Sequence, residues 1–198
     1  MILEGMVTTI DTSGTVNAAP MGPLVDETMQ QLVLRPFQTS RTFANLAETG
    51  EGVFHVVDDV LLLARAAIGR LEQEPPTIPA SVVSGRVLQD ACRWYEFRVR
   101  SMDTSSPHSR LECEVVHTGR LKDFFGLHRA RHAVIEAAIL ATRLHLLPAD
   151  DVERQFLALA VLVEKTGGPR EHEAFTLLDD YRRRAAAMAT DPAAADVC

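Results

Sequence analysis

Two arginines and three hydroxyls crowd one stretch of this chain, Arg35-Pro36-Phe37-Gln38-Thr39-Ser40-Arg41-Thr42. An apolar, strand-like run, Gln31-Leu32-Val33-Leu34, leads into it, and a short helical pattern, Thr42 to Glu48, leads out. A strand-to-helix turn of this composition suits a phosphate. Hydroxyls donate, guanidiniums grip in bidentate fashion, and the first N–H groups of a helix have no partner within it. The same residues also read as a capped helix with solvated arginines, with Ser40 or Thr39 an ordinary N-cap. Upstream, Asn17-Ala18-Ala19-Pro20-Met21-Gly22 ends another strand-like run. Its small residues let a flat ligand approach the backbone. Asn17 offers a donor and an acceptor to the edge of a heteroaromatic ring. Taken alone, the segment reads equally as a turn of Asn, Pro and Gly.

A third group is Leu127-His128-Arg129-Ala130-Arg131-His132, which opens a helical pattern. Arg129 suits either an anionic ligand or a structural salt bridge. His128, His132 and Glu136 recur every four residues and share a helix face, a spacing that can bind zinc. No His-Glu-x-x-His motif accompanies them, no fourth ligand is evident, and Arg129 and Arg131 repel a cation, so no metal is expected. His55, His117, His145 and His172 belong to no motif. The chain has no Gly-x-Ser-x-Gly elbow, Gly-x-Gly-x-x-Gly fingerprint or Walker loop, so neither that hydrolase type nor a Rossmann or NTPase site is indicated.

The elements that must position these residues begin as strands. Met6 to Ile10 and Thr15 to Ala19 flank the turn composition Asp11-Thr12-Ser13-Gly14 and predict a hairpin. Residues 31–35 predict a third strand and Gly52 to Val57 a fourth. Asp58-Asp59 predicts the cap of a helix running through Ala67. Residues 72–81 hold three prolines and predict an irregular connection. Trp94 to Arg100 and Leu111 to Val116 predict a hairpin around a long loop, Ser101 to Ser109. After Phe125 the period becomes helical. Val134, Ala138 and Ala141 share one face. A second helix is predicted from Asp150, with Glu153 completing a capping box and Val152, Phe156, Leu159, Ala160 and Val163 as its buried stripe. Gly167-Gly168-Pro169 stops it. A third helix aligns Ala174, Leu177, Leu178 and Tyr181, with Arg182-Arg183-Arg184 expected in its last turns and fraying from Ala185. Strands first and helices after define an α+β fold.

Composition narrows the function. The formal charge of −7 and pI of about 5.5 lack the basic footprint that nucleic acids require. The local pairs Arg35 with Arg41 and Arg129 with Arg131 suit a small anion better than a polyanion. Three cysteines, Cys92, Cys113 and Cys198, show no metal spacing. An odd number argues against a secreted disulfide framework, and Cys92 and Cys113 read as buried thiols. No secretory signal or membrane span is evident, so a cytoplasmic protein is expected.

The segments Glu4 to Thr9, Asn17 to Gly22, Leu34 to Phe37, Ser40 to Leu46, Thr49 to Val53, His128 to Ala137 and Ala141 to Leu144 together resemble an uncharacterised family of the FMN-binding split-barrel superfamily, related to flavin reductases and pyridoxamine-phosphate-oxidase-like proteins. The resemblance spans roughly residues 3–178. It implies an antiparallel split β-barrel with a C-terminal three-helix segment. The expected divisions are a barrel domain at 1–125, a helical subdomain packed on it at 126–187, and a flexible tail at 188–198. It implies FMN as cofactor and a homodimer. Arg35, Thr39, Ser40, Arg41 and Thr42 would hold the FMN phosphate and ribityl chain, Asn17, Ala18, Ala19, Pro20 and Met21 would border the isoalloxazine, and Arg129 would reach a phosphate or an anionic substrate. Members of the family often have Asn where this chain has His128. Trp94 reads as barrel packing or as a flavin-stacking ring. The expected activity is that of an FMN-dependent oxidoreductase acting on a small molecule, nicotinamide or pterin-like. The alternative is a flavin carrier, sensor or scaffold without turnover.

Overall fold

The structure is a computed structural model of the 198-residue chain and describes residues 1–190. Cys198 and residues 191–198 of the expected tail lie outside the described residues. The chain divides into two compact units. One comprises Met1–Asp58 and Glu72–Phe125; the other comprises Asp59–Leu71 and the chain from Gly126 onward.

The first unit is built on nine strands: β1 (Gly5–Ile10), β2 (Val16–Met21), β3 (Leu24–Val25), β4 (Gln31–Leu34), β5 (Glu51–Val56), β6 (Thr77–Pro79), β7 (Arg86–Leu88), β8 (Arg93–Asp103) and β9 (Arg110–Arg120). Seven form one antiparallel sheet in the order β2-β1-β5-β8-β9-β4-β3. The predicted β1–β2 hairpin forms because Asp11 folds its own turn. Its carboxylate accepts from the N–H groups of Ser13 and Thr15, both at 2.9 Å, which is an Asx-type closure. The sheet then curls back on itself. Ile2, just before β1, bridges to Leu24 of β3, and Leu3 N–H donates to the Pro23 carbonyl at 3.1 Å. The residues preceding β1 therefore meet the far edge of the sheet. β3 was not expected from sequence, since two residues carry no readable period.

Inside the curl, alternate residues of the strands bury Val7, Leu32, Leu34, Phe54, Phe97 and Leu111. The helix α1 (Arg41–Thr49) adds Leu46 to the same cluster. On the opposite face of β5 from Phe54, beneath β7, sits His55, fully buried. Its Nε2 accepts from Leu88 N–H at 3.1 Å, so Nδ1 carries the proton and donates to the Met6 carbonyl at 3.2 Å. One imidazole thus ties β5 to β1 and β7. Burial pushes its pKa down to about 4.

Residues 72–81 are less irregular than their prolines suggest. Thr77–Pro79 pairs with Arg86–Leu88 as a separate two-stranded sheet. The turn between them is held by carboxylates from the main sheet. Glu96, fully buried, accepts from the N–H groups of Ser81, Val82 and Val83 and from Trp94 Nε1, at 2.6–3.1 Å. Ser84 N–H donates to Glu51 at 2.7 Å. Burial alone would raise the Glu96 carboxyl, but these donors outweigh it and hold the group below its ordinary range. Trp94 lies flat across Gly119, its cross-strand partner. A Cβ at Gly119 would fall 2.0 Å from the indole. Trp94 is therefore barrel packing, one of its two sequence readings. Cys92 and Cys113 are buried free thiols, and burial pushes Cys113 up to about 12.

The second unit is helical: α2 (Val60–Ala67), α3 (Arg129–Ala141), α4 (Ala149–Thr166) and α5 (Pro169–Thr190). Within it α2 packs on α3 and α5, and α3 on α4. Asp59 caps α2 as predicted, accepting from the N–H groups of Leu61 and Leu62. The capping box expected for α4 does not form. That helix begins one residue earlier, at Ala149, behind Pro148, with no side-chain cap. Pro148 has the fixed φ that enters a helix without one, and Asp150 and Asp151 occupy the first turn, where negative charge is favoured. The Arg182-Arg183-Arg184 run is not in the last turn of α5, and the helix does not fray at Ala185. It continues to Thr190 because Ala185-Ala186-Ala187-Met188 are strong helix formers. Arg182 and Arg183 both pair with Asp179, at 2.7 and 2.8 Å. Among the described residues no helix is long and apolar enough to cross a membrane.

Candidate functional site

The two segments singled out in the sequence meet in the first unit. Asn17–Met21 forms most of β2, an edge strand bonded only to β1. It is not a turn. Pro20 is tolerated there because an edge strand leaves half its backbone groups unpaired. Those open groups, beside the small side chains of Ala18 and Ala19, line the free edge. The Arg35–Ser40 turn delivers the chain into α1, whose N-cap is Ser40: its Oγ accepts from Phe43 N–H at 3.1 Å and donates to the Phe37 carbonyl at 2.7 Å. Gly50, with φ of 67°, ends the helix in the left-handed conformation that favours glycine.

Asn17 joins the segments directly. Its Nδ2 donates to Thr42 Oγ1 at 3.0 Å and lies 3.5 Å from Thr9 Oγ1. Asn45, on the same face of α1, donates to Thr9 Oγ1 at 3.0 Å. Thr42 is only 3% exposed, so its hydroxyl works as a strut between helix and strand. Thr9 and Asn45 are supporting residues to which sequence reasoning gave no role. Their pairing depends on β1–β2 register and on how the helix lies, neither of which is a local signal.

The N–H groups of Arg41 and Thr42, at the start of α1, have no hydrogen-bond partner among the described residues. Arg35, Thr39 and Arg41 are exposed. Neither arginine has a carboxylate within 4 Å among the described residues. Asp11 feels Arg41 only weakly; its carboxyl is held low first by the Ser13 hydroxyl and then by Thr15 N–H. The turn itself is stitched to the tip of the β8–β9 hairpin. Gln38 Nε2 donates to the carbonyls of Thr104 and Ser106 at 2.9 and 2.6 Å, and Ser109 Oγ donates to the Pro36 carbonyl at 2.7 Å. The hairpin loop is shorter than expected, 104–109, because β8 and β9 extend to Asp103 and Arg110.

Arg129 belongs to the helical unit, as the first residue of α3, and is exposed. Its neighbour in the expected basic pair, Arg131, is engaged with Glu171 at 3.0 Å. His128 is the N-cap of α3, its Nδ1 accepting from Arg131 N–H at 3.3 Å. The imidazole does here what an Asn side chain does at the same position. Among the described residues no group of three His, Cys, Asp or Glu side chains is placed to hold a metal ion. The helical unit also carries a half-open pocket of about 570 Å³ lined mainly by apolar residues, including Ile68, Leu144, Val152 and Tyr181.

The curled seven-stranded antiparallel sheet, with α1 entered from β4 and an open strand edge beside it, defines a split-barrel protein. Solved structures share this fold. An FMN-bound protein of Methanosarcina mazei is similar over 91% of this chain and 94% of its own, with a TM-score of 0.77 at 23% identity. The flavin reductase of styrene monooxygenase from Pseudomonas putida S12 is similar over 59% of this chain and 77% of its own (TM-score 0.50, 14% identity). Flavoredoxin of Desulfovibrio vulgaris is similar over 60% and 69% (TM-score 0.52, 12% identity). The chain belongs to the DUF447 family, proteins of unknown function: residues 3–122 match its N-terminal domain and residues 128–180 the domain that follows. The Methanosarcina protein is assigned to the same family.

Proposed function

We propose that this protein binds FMN at the junction of β2 and α1 and acts as a flavin-dependent oxidoreductase on a small molecule. The observation that carries the reading is the Asn17–Thr42 hydrogen bond, which couples an open strand edge to a helix N-terminus with unneutralised arginines. The donor set fits the cofactor. Arg41, Thr39 and the free N–H groups of Arg41 and Thr42 surround a phosphate position, with Ser40 holding the turn and Arg35 adding a second positive charge. Two guanidiniums offset most of a phosphate monoester's charge of about −1.5 to −2. The open edge of Asn17, Ala18, Ala19, Pro20 and Met21 suits the hydrogen-bonding side of a flat heteroaromatic ring. Arg129 is assigned to an anionic group of the cofactor or substrate. Bound flavin supplies the two-electron chemistry; the chain binds, orients and shields it. A family member that holds FMN supports the assignment.

The reaction partner in this reading is a reduced small molecule, nicotinamide or pterin-like, and the working form is a cytoplasmic homodimer. Sedimentation of the purified protein tests the dimer. The cofactor is tested by titrating FMN into wild type, Arg41→Ala and Ser40→Asp. Arg41→Ala removes one charge-assisted contact worth about 1.5–3 kcal/mol, a loss of roughly tenfold to a hundredfold in affinity. Ser40→Asp keeps a good N-cap but sets a negative charge against the phosphate, so helix content is retained while FMN affinity falls. Unchanged affinity in both variants refutes the assignment. Reduction of the bound flavin by a nicotinamide separates the oxidoreductase from a carrier.

A further inference from the structure

α4 turns one side to its own unit and leaves the opposite side uncovered. Val152, Phe156 and Val163 are buried, with Leu159 half-buried among them, and α4 packs on α3 and α5. On the far side Leu157 and Val161 are 65% and 48% exposed. At about 100° per residue, both lie within about 20° of the direction opposite Leu159. Farther out along the same face come Arg154 and Glu164, then Glu153 and Lys165, all exposed. The face is symmetric in position about the level of Leu159 and opposite in charge. Leucine two residues before that level answers valine two after, arginine five before answers glutamate five after, and glutamate six before answers lysine six after.

Such a face is complementary to itself. In an antiparallel pair related by a two-fold axis at the level of Leu159, Leu157 of one copy meets Val161 of the other. Arg154 meets Glu164, and Glu153 meets Lys165. Each contact occurs twice, as the symmetry requires. A parallel pair would set Arg154 against Arg154 and Glu164 against Glu164, so the charges fix the direction as well as the partner. These charges cannot serve one another within a copy, because Arg154 and Glu164 stand about 15 Å apart along the helix. Among the described residues Glu153, Glu164 and Lys165 have no ion pair within 4 Å. Arg154 holds Asp151 at 2.5 Å in an exposed pair. A surface pair of this kind is weak, and a guanidinium has five donors, enough for a second carboxylate.

We infer that α4 is a contact between two copies of this chain, packed antiparallel through the Leu157–Val161 face. The inference rests on the homodimer proposed above and gives it a surface; the flavin site takes no part. One helix pair is small for an interface that stands alone, so the contact deepens with protein concentration. Carbodiimide crosslinking reads it directly. The chain has two lysines, Lys122 and Lys165. Glu153 lies about 18 Å from Lys165 along one helix, so a Lys165–Glu153 crosslink joins two copies. It is expected in wild type, more abundant as concentration rises. Arg154→Glu and Glu164→Arg each set like charges against each other at both repeats of the contact and cut the yield about tenfold. Both place charge where the helix dipole favours it, so circular dichroism should show α4 intact. The double variant Arg154→Glu/Glu164→Arg restores the pairing and the yield. No such crosslink at any concentration, single variants with the wild-type yield, or a double variant that does not recover overturns the inference. Sedimentation of the same samples separates it from the reading beneath it. A dimer without this crosslink keeps the homodimer and moves it to another face, whereas a monomer without it removes both.

Discussion

His55 couples ionisation to folding. Folded, it is neutral, and its pKa is pushed down from 6.5 to about 4 by burial. The unfolded chain binds a proton between those values and the native state does not, so stability rises with pH across that window. The contribution is complete above about pH 6.5 and lost as pH falls toward 4, a swing on the order of 3 kcal/mol. Unfolding free energies measured from pH 4 to 7 should show this slope in wild type and lack it in His55→Asn; a variant with the same slope would place the titration elsewhere. None of this was legible in the sequence, where His55 belongs to no motif. Its role comes from β1 and β7 converging on one ring. The local features were legible: Ser40 and Asp59 cap the helices that their spacing indicated, because a cap needs only its next three residues.

At the scale of elements, the turn between β6 and β7 hangs on carboxylates rather than on its own core. Four successive N–H groups, Ser81 to Ser84, are spent on Glu96 and Glu51. Glu96→Gln would turn an amide N–H toward donors and forfeit charged hydrogen bonds, costing about 2–3 kcal/mol. Hydrogen exchange should then quicken at Ser81–Val83 well before the main sheet; unaltered protection there would show that the turn has other support. Gly119→Ala acts on the same assembly from the far side. Its methyl group forces the Trp94 indole to move, and with it the bond to Glu96, at about 1–3 kcal/mol. If thermal melts show no loss, the Trp94–Gly119 contact is not tight. Strand periods made β1, β2, β5, β8 and β9 readable. The β6–β7 pair was hidden because Pro75, Pro76 and Pro79 argue locally for disorder while Glu96, a distant residue, supplies the order. The end of α5 escapes a local reading for the opposite reason: the arginine run sits inside the helix, and Asp179 neutralises part of it.

The whole molecule is not divided where its sequence changes character. The change at Phe125 is real, yet α2, between β5 and β6, packs with the late helices α3 and α5. Period alone cannot reveal this, since an apolar helix states that it needs a cover and not which one. A chain truncated after Phe125 would keep α2 without α3 and α5, exposing Val60, Leu61, Leu63 and Ala64, which are buried in the full chain. Such a variant should aggregate, and replacing residues 60–70 by a short polar linker should restore solubility; a soluble truncation with α2 intact would refute the dependence. The curl of the sheet was readable as a pattern of segments, but the pairing of β4 with β9 required the register of two strands far apart in sequence.

The position of α2 also sets a schedule during synthesis. α2 is finished at Ala67 and α3 begins only at Arg129, about sixty residues later. At roughly 5–20 residues per second the ribosome needs some 3–12 s to supply the first of its partners. For that interval a helix that opens Val-Leu-Leu-Leu-Ala lacks the helices it packs against in the folded chain. Slow codons between β6 and β9 would lengthen the exposure, and a chaperone that holds apolar helices would bridge it. The nascent chain is therefore most vulnerable to self-association midway through translation, while the barrel strands are still emerging.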